Sequence, residues 1–303
     1  MSLSQETRKK MVTYLQSSSK FHGEFKYPDW AFEFAKQARQ ETVEMPPVNG
    51  HPYKLYIFTP DNKQPDCPVH INIHGGGFSN PHQINDSLWS AWLAHQIQGI
   101  VVDVDYTLSG DAPWPTPLEQ CRDAGRYVYA HCTQWGCDPK RISMGGYSAG
   151  GALTMGVMMK AKETGEVPYC LAVNGYGPSE LYQSEKDRPQ EEEYWTTPEG
   201  RNFAFVDLLF DGDVEASKDP YFAAALAEDG QLTGLPPILV ISAAGDQFRF
   251  ENERLALRLA TLGNEVTVCR VPGTVHGFIP HFMDHWEEGG KMIVKAIKAA
   301  RLE

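Results

Sequence analysis

Long apolar runs are missing from this chain. No stretch approaches the roughly 20 consecutive apolar residues of a membrane span, which excludes an integral helical membrane protein. Positive charge is also scarce: 27 Lys and Arg stand against 39 Asp and Glu, a net charge of −12. Phosphate binding needs clustered basic side chains, so neither nucleic acid nor an anionic membrane surface is an expected partner. The six cysteines (Cys67, Cys121, Cys132, Cys137, Cys170, Cys269) are scattered and form no C-x-x-C pair, so neither a zinc site nor a disulfide framework is expected. Internal repeats and low-complexity tracts are absent. Residues 1–10 carry charges with no apolar core behind them, so no secretory signal is expected and the cytoplasm is the expected compartment. The 303 residues, 42% of them apolar, suffice for one large core, and a single elaborated domain over 1–303 is expected.

What is present is an alternation of two patterns. Short β-branched runs at 52–59, 68–74, 99–106, 141–147, 169–175, 236–243 and 265–271 read as strands. Between and after them, 85–98, 116–135, 149–163, 250–263 and 285–300 have helical length and spacing. This order predicts an α/β fold, a mostly parallel central sheet flanked by helices. Two regions break the alternation. Residues 1–45 read as two helices, the second carrying Trp30, Phe32, Phe34 and Ala35, ahead of the break at Pro46-Pro47. Residues 178–220 are polar, acidic around Glu191-Glu192-Glu193, yet dotted with aromatic residues, as in a lid or cap inserted between core strands.

Gly146-Tyr147-Ser148-Ala149-Gly150 carries the most chemistry. A serine flanked by glycines between a strand and a helix sits on a tight turn with its hydroxyl exposed, the posture of a nucleophile. His74-Gly75-Gly76-Gly77 ends the apolar run 69–73, and its glycines let bare backbone N–H groups approach a reacting carbonyl. A serine nucleophile needs a base, and the base needs an orienting carboxylate, in the chain order Ser, acid, His. Asp246, after the strand at 236–243, is the candidate acid, and His276, in the loop after the strand at 265–271, the candidate base. Asp219 is the alternative acid, and His281 and His285 are the alternative bases. His74 reads as a support for the glycine loop, because it precedes the serine and borders the donors. Asp103 and Asp105 read as one face of a strand.

Together these residues resemble the hormone-sensitive-lipase-like carboxylesterases of the α/β-hydrolase fold, over roughly residues 68–280. The similar segments are Asp138-Pro139-Lys140-Arg141-Ile142 running into Gly146–Gly151, Tyr106-Thr107-Leu108 with Pro113-Trp114-Pro115, and His276-Gly277-Phe278. Two positions depart from the family pattern: Tyr147 stands where Asp is commonest, and Asp246-Gln247-Phe248 replaces Asp-Pro-Leu. The resemblance implies Ser148 as nucleophile, Asp246 as acid and His276 as base. It also implies an oxyanion hole from Gly76, Gly77 and Ala149, with Gly75 shaping the loop, and a helical cap built from 1–45 and 178–220 above an acyl pocket. The expected activity is hydrolysis of a small-molecule, short-acyl ester through an acyl-enzyme, with no metal or organic cofactor. Amide hydrolysis or acyl transfer by the same triad, and a non-enzymatic receptor on the same scaffold, are the alternatives.

Overall fold

Segments that are apolar at every position, rather than at alternate ones, form strands covered on both faces. In the computed structural model, which describes residues 3–17, 26–184, 186 and 193–303, such segments form the middle of one sheet. Among the described residues its strands are β1 (Ala38–Val48), β2 (His51–Pro60), β3 (Cys67–Ile73), β4 (Ile100–Asp105), β5 (Cys137–Tyr147), β6 (Leu171–Gly175), β7 (Ile238–Ala243) and β8 (Val266–Val271). Their order is β1-β2-β4-β3-β5-β6-β7-β8. The pairs β1/β2 and β2/β4 are antiparallel, and all the others are parallel.

The helices are α1 (Gln5–Ser17), α2 (Ile84–Ile97), α3 (Thr116–His131), α4 (Ala149–Thr164), α5 (Pro198–Phe210), α6 (Asp229–Leu232), α7 (Arg249–Thr261) and α8 (Trp286–Ala299). Successive strand side chains point to opposite faces, which divides the core in two. Ile238 and Val240 of β7 join the apolar cluster under α3, α4 and α7, whereas Leu239 and Ile241 join the cluster under α2 and α8. No described helix is long and apolar enough to cross a membrane.

The expected strands and core helices all form, with ends shifted by a few residues. The N-terminal segment requires a correction. Residues 5–17 are helical, but 29–37 form a 3-10 helix and 38–48 are strand β1. β1 escaped notice because it lies at the sheet edge: nearly all of Arg39–Glu44 is exposed, so no apolar alternation marks it, and charged side chains there discourage pairing with another chain. Pro46-Pro47 fall where the β1/β2 register shifts, the place an edge strand tolerates proline. The signal that could have found this hairpin is Asn49-Gly50, whose φ values of 50° and 83° suit a two-residue turn. The 3-10 helix packs on α2 and β1, its Trp30 ring 5.7 Å from that of Trp286. Among the described residues of this segment, α1 and Leu3 just ahead of it join the 178–220 region, the Leu3 N–H donating to Asp211 Oδ1. Arg8 donates to the carbonyls of Ser109 and Leu208 and pairs with Asp211 at 2.9 Å, while Tyr14 Oη donates to the Thr196 carbonyl. Of the acidic triplet, Glu193 is exposed, and Glu191 and Glu192 lie outside the described residues.

The junction of β5 with α4 leaves no room for side chains. A Cβ added at Gly150 would lie 2.0 Å from the Ile73 carbonyl oxygen, and one at Gly146 would lie 2.4 Å from the backbone of Gly150. Gly150→Ala is therefore expected to destabilise the fold by about 3 kcal/mol or more, the upper range for overpacking, because backbone cannot move aside as a side chain can. Gly230→Ala, with no atom within 4 Å of its Cβ, should cost nothing measurable. Thermal denaturation of the two variants checks the difference.

Candidate active site

Ser148 occupies the single-residue turn between β5 and α4 at φ 54° and ψ −121°, a conformation that costs a non-glycine residue of order 1–3 kcal/mol. Its own N–H donates to the Gly175 carbonyl of β6, and its carbonyl accepts from Gly151 and Ala152, so sheet and helix both hold the turn. The other two expected residues arrive from the ends of β7 and β8, which pair side by side. Asp246 follows β7 and His276 follows β8. Thr274 joins the two loops, its Oγ1 accepting from the Ala244 N–H and its carbonyl from Gly245.

The three side chains form one hydrogen-bonded line. His276 Nε2 lies 2.8 Å from Ser148 Oγ, and His276 Nδ1 lies 2.7 Å from Asp246 Oδ2. The Asp246 side chain is fully buried, and its second oxygen accepts from the Phe248 N–H at 2.9 Å, so the carboxylate cannot swing away. The rings of Tyr176 and Phe248 pack against the imidazole in T-shaped geometry, their centroids 5.2 and 5.3 Å away. The alternatives are engaged elsewhere. Asp219 accepts from Trp114 Nε1 at 2.7 Å and from the Tyr221 N–H, which makes it a brace for a turn. His281 Nδ1 bonds Tyr27 Oη at 2.9 Å, and the exposed His285 pairs with Glu288.

The glycine loop follows β3 with φ values of 105° at Gly76 and 60° at both Gly77 and Phe78. Among the described residues the N–H groups of Gly76, Gly77 and Ala149 donate to no protein acceptor, whereas the Gly76 carbonyl accepts from Ser79 and Asn80. Gly75 is confined by the facing turn: a Cβ there would lie 3.0 Å from the Tyr147 carbonyl oxygen and 3.4 Å from Ser148 Cβ. His74 is buried, stacks on Tyr106 at 4.3 Å and bonds the Gly75 carbonyl through Nδ1, as the sequence led us to expect of a loop support.

A cavity of about 740 Å³ opens over this arrangement. Gly75–Phe78, Ser148, Ala149 and His276 line it, together with Tyr14 of α1, Trp195, and Arg201 and Phe205 of α5. The Phe205 ring fills the space that a side chain at Gly77 would need, 2.6 Å from the Cβ position.

Sequence reasoning missed the charges beneath the loop. Asp103 is entirely buried and accepts from Asn72 Nδ2, Ser90 Oγ and His82 Nε2 at 2.9, 3.0 and 3.0 Å. Burial opposes a charge on His82, but Asp103, aided by Asp86 and Asp105, outweighs it and pushes the imidazole up to about 9. Burial raises the Asp86 carboxyl, whose oxygens accept from the Gln83 N–H and Asn85 Nδ2. No local signal marks the His82–Asp103 pair, because its members come from a loop and a strand 21 residues apart.

A model of the alpha/beta hydrolase fold matches residues 70–280, and the chain belongs to that family. Esterase LipI of Mycobacterium tuberculosis strain H37Rv is 29% identical over 217 residues, covering 71% of this chain and 67% of that protein. Hormone-sensitive lipase of Bos taurus is 33% identical over 96 residues, 31% of this chain and 13% of that one. Among solved structures, a thermostable esterase from Pseudomonas putida ECU1011 superposes with a TM-score of 0.76 at 25% identity, covering 99% of this chain and 91% of that one. Within the α/β-hydrolases the chain is a member of the hormone-sensitive-lipase-like carboxylesterases.

The buried pair carries a pH dependence of stability. Because the folded protein holds the His82 proton more tightly than the unfolded chain, whose imidazole titrates near 6.5, this stabilisation is complete below pH 6.5 and is lost as pH rises through about 9. Wild type should lose about 2–3 kcal/mol more than His82→Gln over that window. Urea denaturation at pH 6 and pH 9.5 measures it, and equal losses in the two proteins would refute the assignment.

Proposed function

We propose that this protein is a serine carboxylesterase, a hydrolase that cleaves small, short-acyl carboxylic esters in the cytoplasm through an acyl-enzyme. The observation that carries the reading is the line Asp246–His276–Ser148, at 2.7 and 2.8 Å, facing a cavity edged by backbone N–H groups that have no acceptor among the described residues. The esterases among its relatives support it. Ser148 Oγ attacks the ester carbonyl while His276 Nε2 takes its proton, and Asp246 holds the tautomer with Nδ1 protonated and stabilises the imidazolium. The oxyanion that forms accepts from the N–H groups of Gly76, Gly77 and Ala149, and loss of one such donor costs about 3 kcal/mol of barrier in comparable sites. Gly75 keeps the loop close to the turn. His276 then protonates the leaving alcohol, water repeats the sequence on the acyl-enzyme, and the acid departs. No step calls on a metal or an organic cofactor.

Helix α1 and the 178–220 region act as the cap. Tyr14, Trp195 and Phe205 bound the cavity, which limits the acyl chain it accepts. Each methylene buried adds about 0.8 kcal/mol of binding until the wall is reached, after which overlap reverses the gain. Acetyl to hexanoyl esters should therefore be turned over with higher kcat/KM than palmitoyl esters. A monotonic rise to palmitoyl, with activation at an oil–water interface, would overturn the cap reading.

An organophosphonate should place one label on the protein, at Ser148, and Ser148→Ala should lose both label and turnover. Asp246→Asn should lower kcat by up to about ten thousand-fold by favouring the wrong tautomer, while Asp219→Asn leaves the chemistry intact. Labelling retained in Ser148→Ala would move the nucleophile elsewhere and sink the proposal.

A further inference from the structure

Arg201 stands apart in the charge pattern of the chain. Acidic residues outnumber basic ones by 39 to 27, so an arginine readily finds a carboxylate. Every other arginine among the described residues donates to a carboxylate or a backbone carbonyl: Arg8 to Asp211, Arg122 to Glu166, Arg249 to the Ala244 carbonyl, for example. Arg201 has no acceptor among the described residues, and its only charge-related contact is with the Phe205 ring, 6.0 Å from the centroid. It is half-buried, and it lines the cavity that contains Ser148.

Its placement is specific. Arg201 and Phe205 are one helical turn apart on α5, so their side chains lie on one face of the helix. The Phe205 ring packs over Gly77, and the Arg201 guanidinium lies over that ring, 6.0 Å from its centroid. Asn202 lines the same wall. The other acidic residue of the lining, Asp86, accepts from the Gln83 N–H and Asn85 Nδ2 and makes no ion pair with Arg201. A guanidinium left half-buried without an acceptor retains the whole of its capacity for a planar, two-oxygen anion.

We propose that Arg201 is an anion subsite, and that the preferred esters carry a carboxylate a few bonds from the scissile carbonyl, as in monoesters of short dicarboxylic acids. This rests on the proposed esterase reading, because the subsite is defined by its place in the Ser148 cavity. The guanidinium receives the remote carboxylate, the Phe205 ring covers the intervening methylenes, and the reacting carbonyl reaches the glycine loop. Neutral esters of the same length lack the charge-assisted contact.

Two measurements test it. The first is the ratio of kcat/KM for mono-p-nitrophenyl glutarate to that for p-nitrophenyl butyrate. In wild type it should exceed one by about ten-fold, the usual worth of one charged hydrogen-bonded contact. It should fall toward one in Arg201→Gln, keep part of its value in Arg201→Lys, and be unchanged in Arg39→Gln on the edge strand. The second needs no turnover: binding of monomethyl glutarate to Ser148→Ala by calorimetry, expected to weaken about ten-fold when Arg201→Gln is added. Turnover of butyrate with no preference for the glutarate ester, or a preference that survives Arg201→Gln, overturns the subsite and leaves the esterase reading standing. Failure to hydrolyse either ester, with binding still dependent on Arg201, overturns the esterase reading and keeps the anion subsite.

Discussion

The structure depends on an interlock of backbone with backbone between the Ser148 turn and the glycine loop. Gly150, at the start of α4, sits where any side chain would strike the Ile73 and His74 carbonyls at the end of β3. Gly75 in return sits where a Cβ would press on the Tyr147 carbonyl. Each segment is thus shaped by the absence of side chains on the other. That contact lets a serine at φ 54° share one cavity with the N–H groups of the loop after β3. Backbone donors are held by the fold and do not reorganise when charge develops, which is the physical basis of oxyanion stabilisation.

Around this contact the protein places charge unevenly. The Asp246 carboxylate is buried but satisfied by His276 and by the Phe248 N–H. Asp103 is buried behind the glycine loop and satisfied by three donors, one of them on His82 of the segment that continues that loop. Breaking a buried pair strands the remaining charge and costs far more than an exposed pair would, so His82–Asp103 ties the loop segment to β4. Arg201 is the opposite case, a charge at the cavity wall with no ionic or hydrogen-bond partner among the described residues, and it keeps the lining from being purely apolar.

The sheet and the candidates for the proposed triad were legible in the sequence for physical reasons. Strands covered on both faces must be apolar throughout, so β3, β6 and β7 could be read directly. The turn at Ser148 tolerates so few residues that its glycines mark it, and the order of the later strands narrowed the search to a few candidates, Asp246 or Asp219 and His276, His281 or His285. Strand β1 was not legible, because an edge strand is exposed and charged and carries no alternation, and the nearby Asn49-Gly50 turn was its one local sign.

The residues that give the cavity its character lay beyond local pattern altogether. Tyr14, Trp195 and Phe205 are ordinary apolar positions until α1 and α5 are packed together, and Arg201 becomes notable only when the acceptors among the described residues have been located. The sequence by itself determined the fold class, the tight turn at Ser148 and the order in which its candidate partners come, because those follow from local backbone sterics and strand burial. Which histidine and which aspartate met the serine, which carboxylates were consumed as braces, and which cation was left facing the cavity were decided by the tertiary structure, since each depends on distances between segments that local sequence does not encode.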